Sequence, residues 1–231
     1  MKLIIRLSFN LLLLTLFFPV LTFAQSEKKA AYGILIDNTG TMRTQFGNVQ
    51  ILCNAVAQNT TQRGLVSLFN FETQGTEKNP FAKVTNGTEW SQDKNALEKY
   101  IAGLKVVPGQ TVLFDAIRSI AKATDAKANS EKLSEKIIIL ITDGEDRASE
   151  VTEKQLLKEL KESGVKVYAI GLVTELYSEQ SLFGDSSKGK ATKFLKKVTK
   201  ETGGNAIFPK LKKDTKVEDL LTELFSEPSK K

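Results

Sequence analysis

The sequence predicts an α/β fold: a doubly wound, mostly parallel sheet flanked by helices, in a single domain. Three observations carry this expectation. The chain has 231 residues, 41% apolar and 26% charged, which is room for one sizeable globular domain. Short apolar runs alternate with segments of helical periodicity from Ala31 to Phe225. Finally, Ile137-Ile138-Ile139-Leu140-Ile141 contains no polar residue to turn toward water. Such a run fits a central parallel strand covered on both faces.

The elements follow in order. Ala31 to Asp37 reads as a first strand with Ile34-Leu35-Ile36 at its centre, and Phe46, Val49, Cys53, Val56 and Ala57 share one helical face. Cys53 is expected inside, as a small hydrophobe. Gly64 opens a second strand, Leu65 to Phe69. A third, Phe81 to Val84, lies between the turn signals Asn79-Pro80 and Asn86-Gly87. Asp93 is placed to cap a helix reaching Leu104, with Ala96, Leu97, Tyr100, Ile101 and Leu104 inward. After the break at Pro108-Gly109, Leu113, Ile117, Ile120 and Ala121 mark another helix, which leads to the Ile137 run. Thr152 starts a helix (Leu156, Leu157, Leu160) that Gly164 ends. A strand from Val165 to Ile170, a helix from Lys190 to Thr202 stopped by Gly203-Gly204, and a short strand from Ala206 to Phe208 come next. Val217, Leu220, Leu221, Leu224 and Phe225 close the fold as an amphipathic helix.

The N-terminus sets the expected compartment. Lys2 and Arg6 precede an apolar run from Leu11 to Leu21, and Thr22 and Ala24 supply the small residues of a cleavage site. The layout is that of a signal peptide over residues 1–24. As an anchor helix it would offer roughly 17 mostly apolar residues where a span needs about 20. Residues 25–30 then form a short mature N-terminal segment, 31–226 the domain and 227–231 a C-terminal tail. The expected location is outside the cytoplasm, periplasmic or extracellular, with no membrane span after cleavage.

Composition excludes several chemistries. There is no histidine, which removes histidine bases, Ser-His-Asp triads and histidine-bound zinc. A single cysteine rules out an intrachain disulfide and any cysteine metal cluster. The formal charge is +6, and two of the basic residues sit in the leader. Lys193, Lys196, Lys197 and Lys200 recur at helical spacing, with Ala191, Phe194 and Val198 on another face. That pattern reads as a solvated helix face rather than a nucleic-acid surface.

In open parallel sheets ligands bind beyond the carboxyl ends of the strands. Three oxygen-rich loops are expected at that edge: Asp37-Asn38-Thr39-Gly40-Thr41, Gly109-Gln110-Thr111, and Thr142-Asp143-Gly144-Glu145-Asp146. Alternate residues of an extended turn point the same way, so Asp37, Thr39 and Thr41 can converge. With Thr111 and Asp143 they make a hard-oxygen pocket of low charge, suited to Mg²⁺ or equally Mn²⁺, less to Ca²⁺. Glu145 and Asp146 are expected on its rim, and Asp115 as a support for helix or loop geometry.

This set resembles the metal-ion-dependent adhesion site of von Willebrand factor A domains, an Asp-x-Ser-x-Ser run, a distant Thr and a Thr-Asp-Gly. Asp37, Thr39 and Thr41 match the first motif with threonine at both serine positions, Thr111 matches the isolated threonine, and Asp143 the third motif. The similarity runs from Tyr32 to about Phe225. Val167-Tyr168-Ala169-Ile170-Gly171 and Glu201-Thr202-Gly203-Gly204 resemble a bacterial secreted subgroup of these domains. The resemblance implies a Rossmann-like fold and a binding module, not an enzyme. A protein partner's acidic residue, or water, would complete the ion's coordination.

The alternative is a Mg²⁺-dependent phosphatase of the haloacid dehalogenase type, which also places an aspartate at the end of its first strand. That chemistry needs a second aspartate two residues on as acid and base; Thr39 stands there. A single carboxylate bond is a small footprint for a specific complex, so neighbouring loops must add contacts. The segment Thr174 to Lys188, with Leu176, Tyr177, Leu182 and Phe183, follows the Val165–Ile170 strand onto the same edge. Tyr177 and Phe183 are the expected aromatic anchors for a partner.

Overall fold

The computed structural model describes residues 30–76, 79–176, 186–212 and 214–226. The expected signal peptide and residues 25–29, the 227–231 tail, and Tyr177, Leu182 and Phe183 lie outside the described residues. Six strands, β1 (Ala30–Asp37), β2 (Gly64–Thr76), β3 (Asn79–Asn86), β4 (Glu135–Thr142), β5 (Lys166–Gly171) and β6 (Ala206–Ile207), form one sheet in the order β3-β2-β1-β4-β5-β6. All neighbours run parallel except β3, which returns antiparallel to β2. Between them lie α1 (Phe46–Thr60), α2 (Lys94–Gly103), α3 (Leu113–Ser130), α4 (Glu153–Ser163) and α5 (Ser187–Thr202), and α6 (Val217–Leu224) ends the chain. The doubly wound, mostly parallel architecture is as the sequence predicts.

The central strands explain why the sheet is covered twice. Successive side chains of a strand point to opposite faces. Ile34, Ile36, Ile137, Ile139 and Ile141 therefore enter one core with Val49, Leu52, Cys53 and Val56 of α1, Ile101 of α2 and Leu224 of α6. Leu35, Ile138 and Leu140 enter the other with Ile117 and Ile120 of α3, Leu156 and Leu160 of α4, and Leu195 and Val198 of α5. Cys53 is fully buried, and burial pushes its thiol far above the ordinary value, so it stays protonated and inert.

Local signals end the helices where the sequence places them. The Asp93 carboxylate accepts from the backbone N–H groups of Asn95 (2.9 Å) and Ala96 (3.2 Å). Thr152 and Gln155 form a reciprocal capping box, and Gly164 closes α4 in the left-handed region at φ +70°.

Three expectations need correction. Ala96 is exposed, because Leu97 and Ile101 face the core four residues apart and Ala96 falls about 100° around the helix from Leu97. Leu104 caps α2 in an extended conformation rather than continuing it. β2 runs on to Thr76, well past Phe69: beyond the end of β1 it pairs with β3 alone, as a polar two-stranded ribbon. In addition, Ser187 and Lys188 belong to α5, whose N-cap Ser186 accepts from Gly189 N–H at 3.1 Å.

Candidate functional site

β1 and β4 lie side by side at the centre of the sheet, so their carboxyl ends deliver two of the expected loops to adjacent points. The third loop is strapped to them. Asn38 Nδ2 donates to the Lys105 carbonyl (3.0 Å) and Val107 N–H to the Asn38 carbonyl (2.8 Å), which leads the following Pro108–Thr111 across the end of β1. The Thr111 carbonyl then accepts from Arg147 N–H (2.8 Å), closing loop two on loop three.

The result brings Asp37, Thr39, Thr41, Thr111 and Asp143 together. Asp37 Oδ1 accepts from the Thr39 hydroxyl (2.7 Å) and N–H (3.1 Å), and Oδ2 from the Thr142 hydroxyl (2.6 Å). The Thr39 hydroxyl lies 3.2 Å from that of Thr41 and 3.5 Å from that of Thr111. Asp37, Thr39, Thr111 and Asp143 are buried, while Thr41 opens toward solvent. Asp143 Oδ1 accepts from Glu145 N–H (2.9 Å), but its buried Oδ2 has no hydrogen-bond partner. A buried acceptor left unsatisfied costs about 1–3 kcal/mol. Gly144 adopts φ +81°, and a Cβ there would stand 2.8 Å from Leu195 Cδ1, so the loop turns tightly against α5.

Crowding two carboxylates inside has an electrostatic consequence. Burial raises the Asp143 pKa to about 7, and the nearby Asp37 charge adds to it, against the Glu145 N–H and the Thr41 hydroxyl. Asp37 is also raised, by burial, against its bonds to Thr142 and Thr39. The sign follows from linkage. A carboxyl that holds its proton more tightly folded than unfolded contributes stability below its unfolded pKa of 3.8, and loses it as pH rises through about 7. In chelator, Asp143→Asn should therefore remove much of the stability loss that wild type shows between about pH 4 and 7. Parallel pH-melting series of the two proteins check this.

The remaining acidic residues divide. Glu145 pairs with Arg147 (2.6 Å) beside the site, where its charge reaches both aspartates. Asp146, expected on the rim, is half-buried and turned to the scaffold: it accepts from Phe114 N–H (3.1 Å) at the start of α3 and from the Ser149 hydroxyl (2.6 Å). Asp115 does support the loop, accepting from the N–H groups of Glu150 (2.9 Å) and Val151 (3.1 Å). The sequence reading missed two residues. Thr142 bonds Asp37, and Gln45 donates to the Leu172 carbonyl (2.8 Å), tying the first loop to the end of β5. Thr142 was within reach, since it sits beside Asp143 at a strand end; Gln45 carried no local signal. The aromatic anchors Tyr177 and Phe183 fall outside the described residues, which stop at Leu176 and resume at Ser186.

An open doubly wound sheet with polar loops gathered beyond the carboxyl ends of its central strands defines the Rossmann-like class. Within that class, the von Willebrand factor type A domain profile matches residues 33–222, and the chain belongs to this family. No curated protein matches it. Among solved structures, an aerotolerance-related membrane protein from Bacteroides fragilis, carrying multiple mutations to serine, superposes with a TM-score of 0.56 at 13% identity, covering 84% of this chain and 96% of that one. The pilus adhesin SpaC from Lactobacillus rhamnosus gives 0.55 at 16% identity, covering 87% of this chain and 30% of that one. The manganese-loaded TRAP protein of Plasmodium vivax gives 0.52 at 14%, covering 84% and 71%. At these identities the likeness is one of fold.

Proposed function

We propose that this chain is an exported, metal-dependent binding module, with Asp37, Thr39, Thr41, Thr111 and Asp143 holding one divalent cation. The observation that carries the reading is the convergence of three hydroxyls with two buried carboxylates, one of which keeps an oxygen without a partner. The donors are all hard oxygens, and among the described residues no three acidic, cysteine or histidine side chains gather that would favour a softer or more highly charged site. Mg²⁺ fits, and Mn²⁺ equally, with Ca²⁺ less suited; that a structure sharing the fold was solved loaded with manganese makes Mn²⁺ a natural second ion to test. Bound there, the ion supplies a positive, Lewis-acidic position that an acidic residue of a protein partner can complete. Thr39 and Thr142 hold Asp37 in orientation, the Asn38 and Arg147 backbone bonds hold Thr111 in reach, and solvent access remains on the Thr41 side.

Adhesion and envelope assembly are the roles such a module serves. The phosphatase reading gains nothing from the geometry: Thr39, standing where that chemistry needs an acid and base, only donates its hydroxyl to the Asp37 carboxylate. Export is part of the proposal; no described helix is long and apolar enough to cross a membrane. Intact mass of the exported protein should show a chain beginning at Gln25.

The deciding experiment is capture of envelope proteins on immobilised wild type in Mg²⁺ against chelator. Partners retained only with the ion, and lost with Asp143→Asn, support the module. The same partners in both conditions refute it. Tyr177→Ala and Phe183→Ala are expected to weaken capture while leaving the ion response intact. Ion binding must displace the proton that burial helps the Asp37 and Asp143 carboxyls retain, so Mg²⁺ affinity should strengthen as pH rises from about 5 through about 7, read from titrations at a series of pH values.

A further inference from the structure

We propose that α5 docks the domain on an anionic membrane surface, its lysines meeting the phosphate headgroups of acidic phospholipids. The inference is independent of the metal reading and rests on where the chain keeps its charge. Between Ser187 and Thr202 stand six lysines, at 188, 190, 193, 196, 197 and 200, against one acid, Glu201. That is a net +5 on one helix, in a chain whose formal charge is +6.

The helix is amphipathic in a specific way. Ala191, Phe194, Leu195 and Val198 are buried in the core, while Lys190, Lys193, Lys196, Lys197 and Lys200 are exposed. Several lysines elsewhere on the surface are paired, as Lys136 is with Asp125 (2.5 Å) and Lys127 with Glu131 (2.8 Å), and the one acid of α5, Glu201, is taken by Lys161 of α4 (2.5 Å). Here Lys197 pairs with Glu153 (2.7 Å), but among the described residues no acid pairs with Lys188, Lys190, Lys193, Lys196 or Lys200. Leaving so many like charges uncompensated on one stripe raises self-repulsion, which an anionic partner relieves.

The geometry favours a bilayer over a nucleic acid. From Lys190 to Lys200 the stripe extends about 15 Å along the helix at 1.5 Å per residue, and its lysines are spread over an open face. Among the described residues it carries no arginine for bidentate phosphate recognition and no exposed aromatic for base stacking. The Phe208 ring beside it lies under Lys196, whose Nζ is 5.6 Å from the ring centroid. Lysines on flexible stems are suited to a diffuse plane of headgroups. α5 packs on one face of the sheet, and only its first turns border the β4 loop, where Lys190 lines one concavity with Glu145 and Arg147.

The test is cosedimentation of the exported full-length protein with vesicles of phosphatidylcholine alone or with about one third phosphatidylglycerol. Wild type should bind only the acidic vesicles, and release in about 1 M salt, where the screening length falls to about 3 Å. At about fivefold per lysine, K188E/K193E/K200E should lose about a hundredfold or more of this partitioning. K94E/K99E/K105E, which changes net charge equally on and beside α2 across the sheet, should bind nearly as wild type. Unchanged circular dichroism and melting show that the variants fold. Absence of wild-type binding, equal loss in both triple variants, or binding to duplex DNA without binding to vesicles would each overturn the proposal.

Discussion

Asp37→Ala and Asp143→Asn proteins are expected to remain folded yet show no thermal stabilisation by Mg²⁺. An ion that binds only the folded state stabilises it by RT ln(1 + [L]/Kd), about 1.4 kcal/mol at tenfold excess. For a domain of this size that is about 3–5 °C in Tm. The two variants differ in what they leave behind. Asp143→Asn removes a buried charge whose Oδ2 has no partner, so in chelator above about pH 7 it should be at least as stable as wild type. Asp37→Ala strips the acceptor from the Thr39 and Thr142 hydroxyls and the Thr39 N–H, and so costs apo stability unless relief of repulsion with Asp143 offsets it. Differential scanning fluorimetry with Mg²⁺, Mn²⁺ and chelator measures all three proteins. An undiminished Mg²⁺ shift in both variants would show that the ion, if bound, sits elsewhere.

The second large effect lies in the scaffold that delivers Asp37. Gly33 stands on β1 where α3 crosses it, and a Cβ there would be 2.4 Å from Thr124 Oγ1 and 3.0 Å from Ile120 Cγ1. Both neighbours are buried on a helix held between β1 and α4, so they have little room to yield. Gly33→Ala should cost about 1–3 kcal/mol by overpacking, and Gly33→Val more. Thr124 makes a clean rescue, because its buried hydroxyl has no hydrogen-bond partner among the described residues and loses little when removed. Gly33→Ala/Thr124→Ala should recover most of the loss, a coupling of about 1 kcal/mol or more in a double-mutant cycle. Additive effects from urea melts would place the strain elsewhere.

Much of the fold is legible because its signals are short-range. The Ile137–Ile141 run requires two covered faces whatever surrounds it, and Asp93, Thr152 and Gly164 mark helix ends through bonds spanning a few residues. The errors have the same origin in reverse. Ala96 and Leu97 are both apolar, and only packing against the sheet selects Leu97 for the core. The extension of β2 to Thr76 is polar and carries no apolar signal; it exists because β3 pairs with it.

The site shows the same division. Asp37, Thr39 and Thr41 form a local constellation, so alternation along an extended turn suffices to group them, and the strand ends at Asp37 and Thr142 point them toward the ligand edge. Which acids serve the scaffold depends on partners far away in sequence. Asp146 reads as a rim residue until Phe114, 32 positions earlier, proves to need a cap for its N–H. Gln45 gains its role from Leu172, 127 positions later. Periodicity, caps and the donor chemistry of the three loops are properties of neighbouring residues, and the sequence by itself determined them. The meeting of those loops, the burial that lifts Asp143, and the pairing of each supporting side chain were decided by the tertiary structure, because hydrogen bonds and desolvation act across space irrespective of separation along the chain.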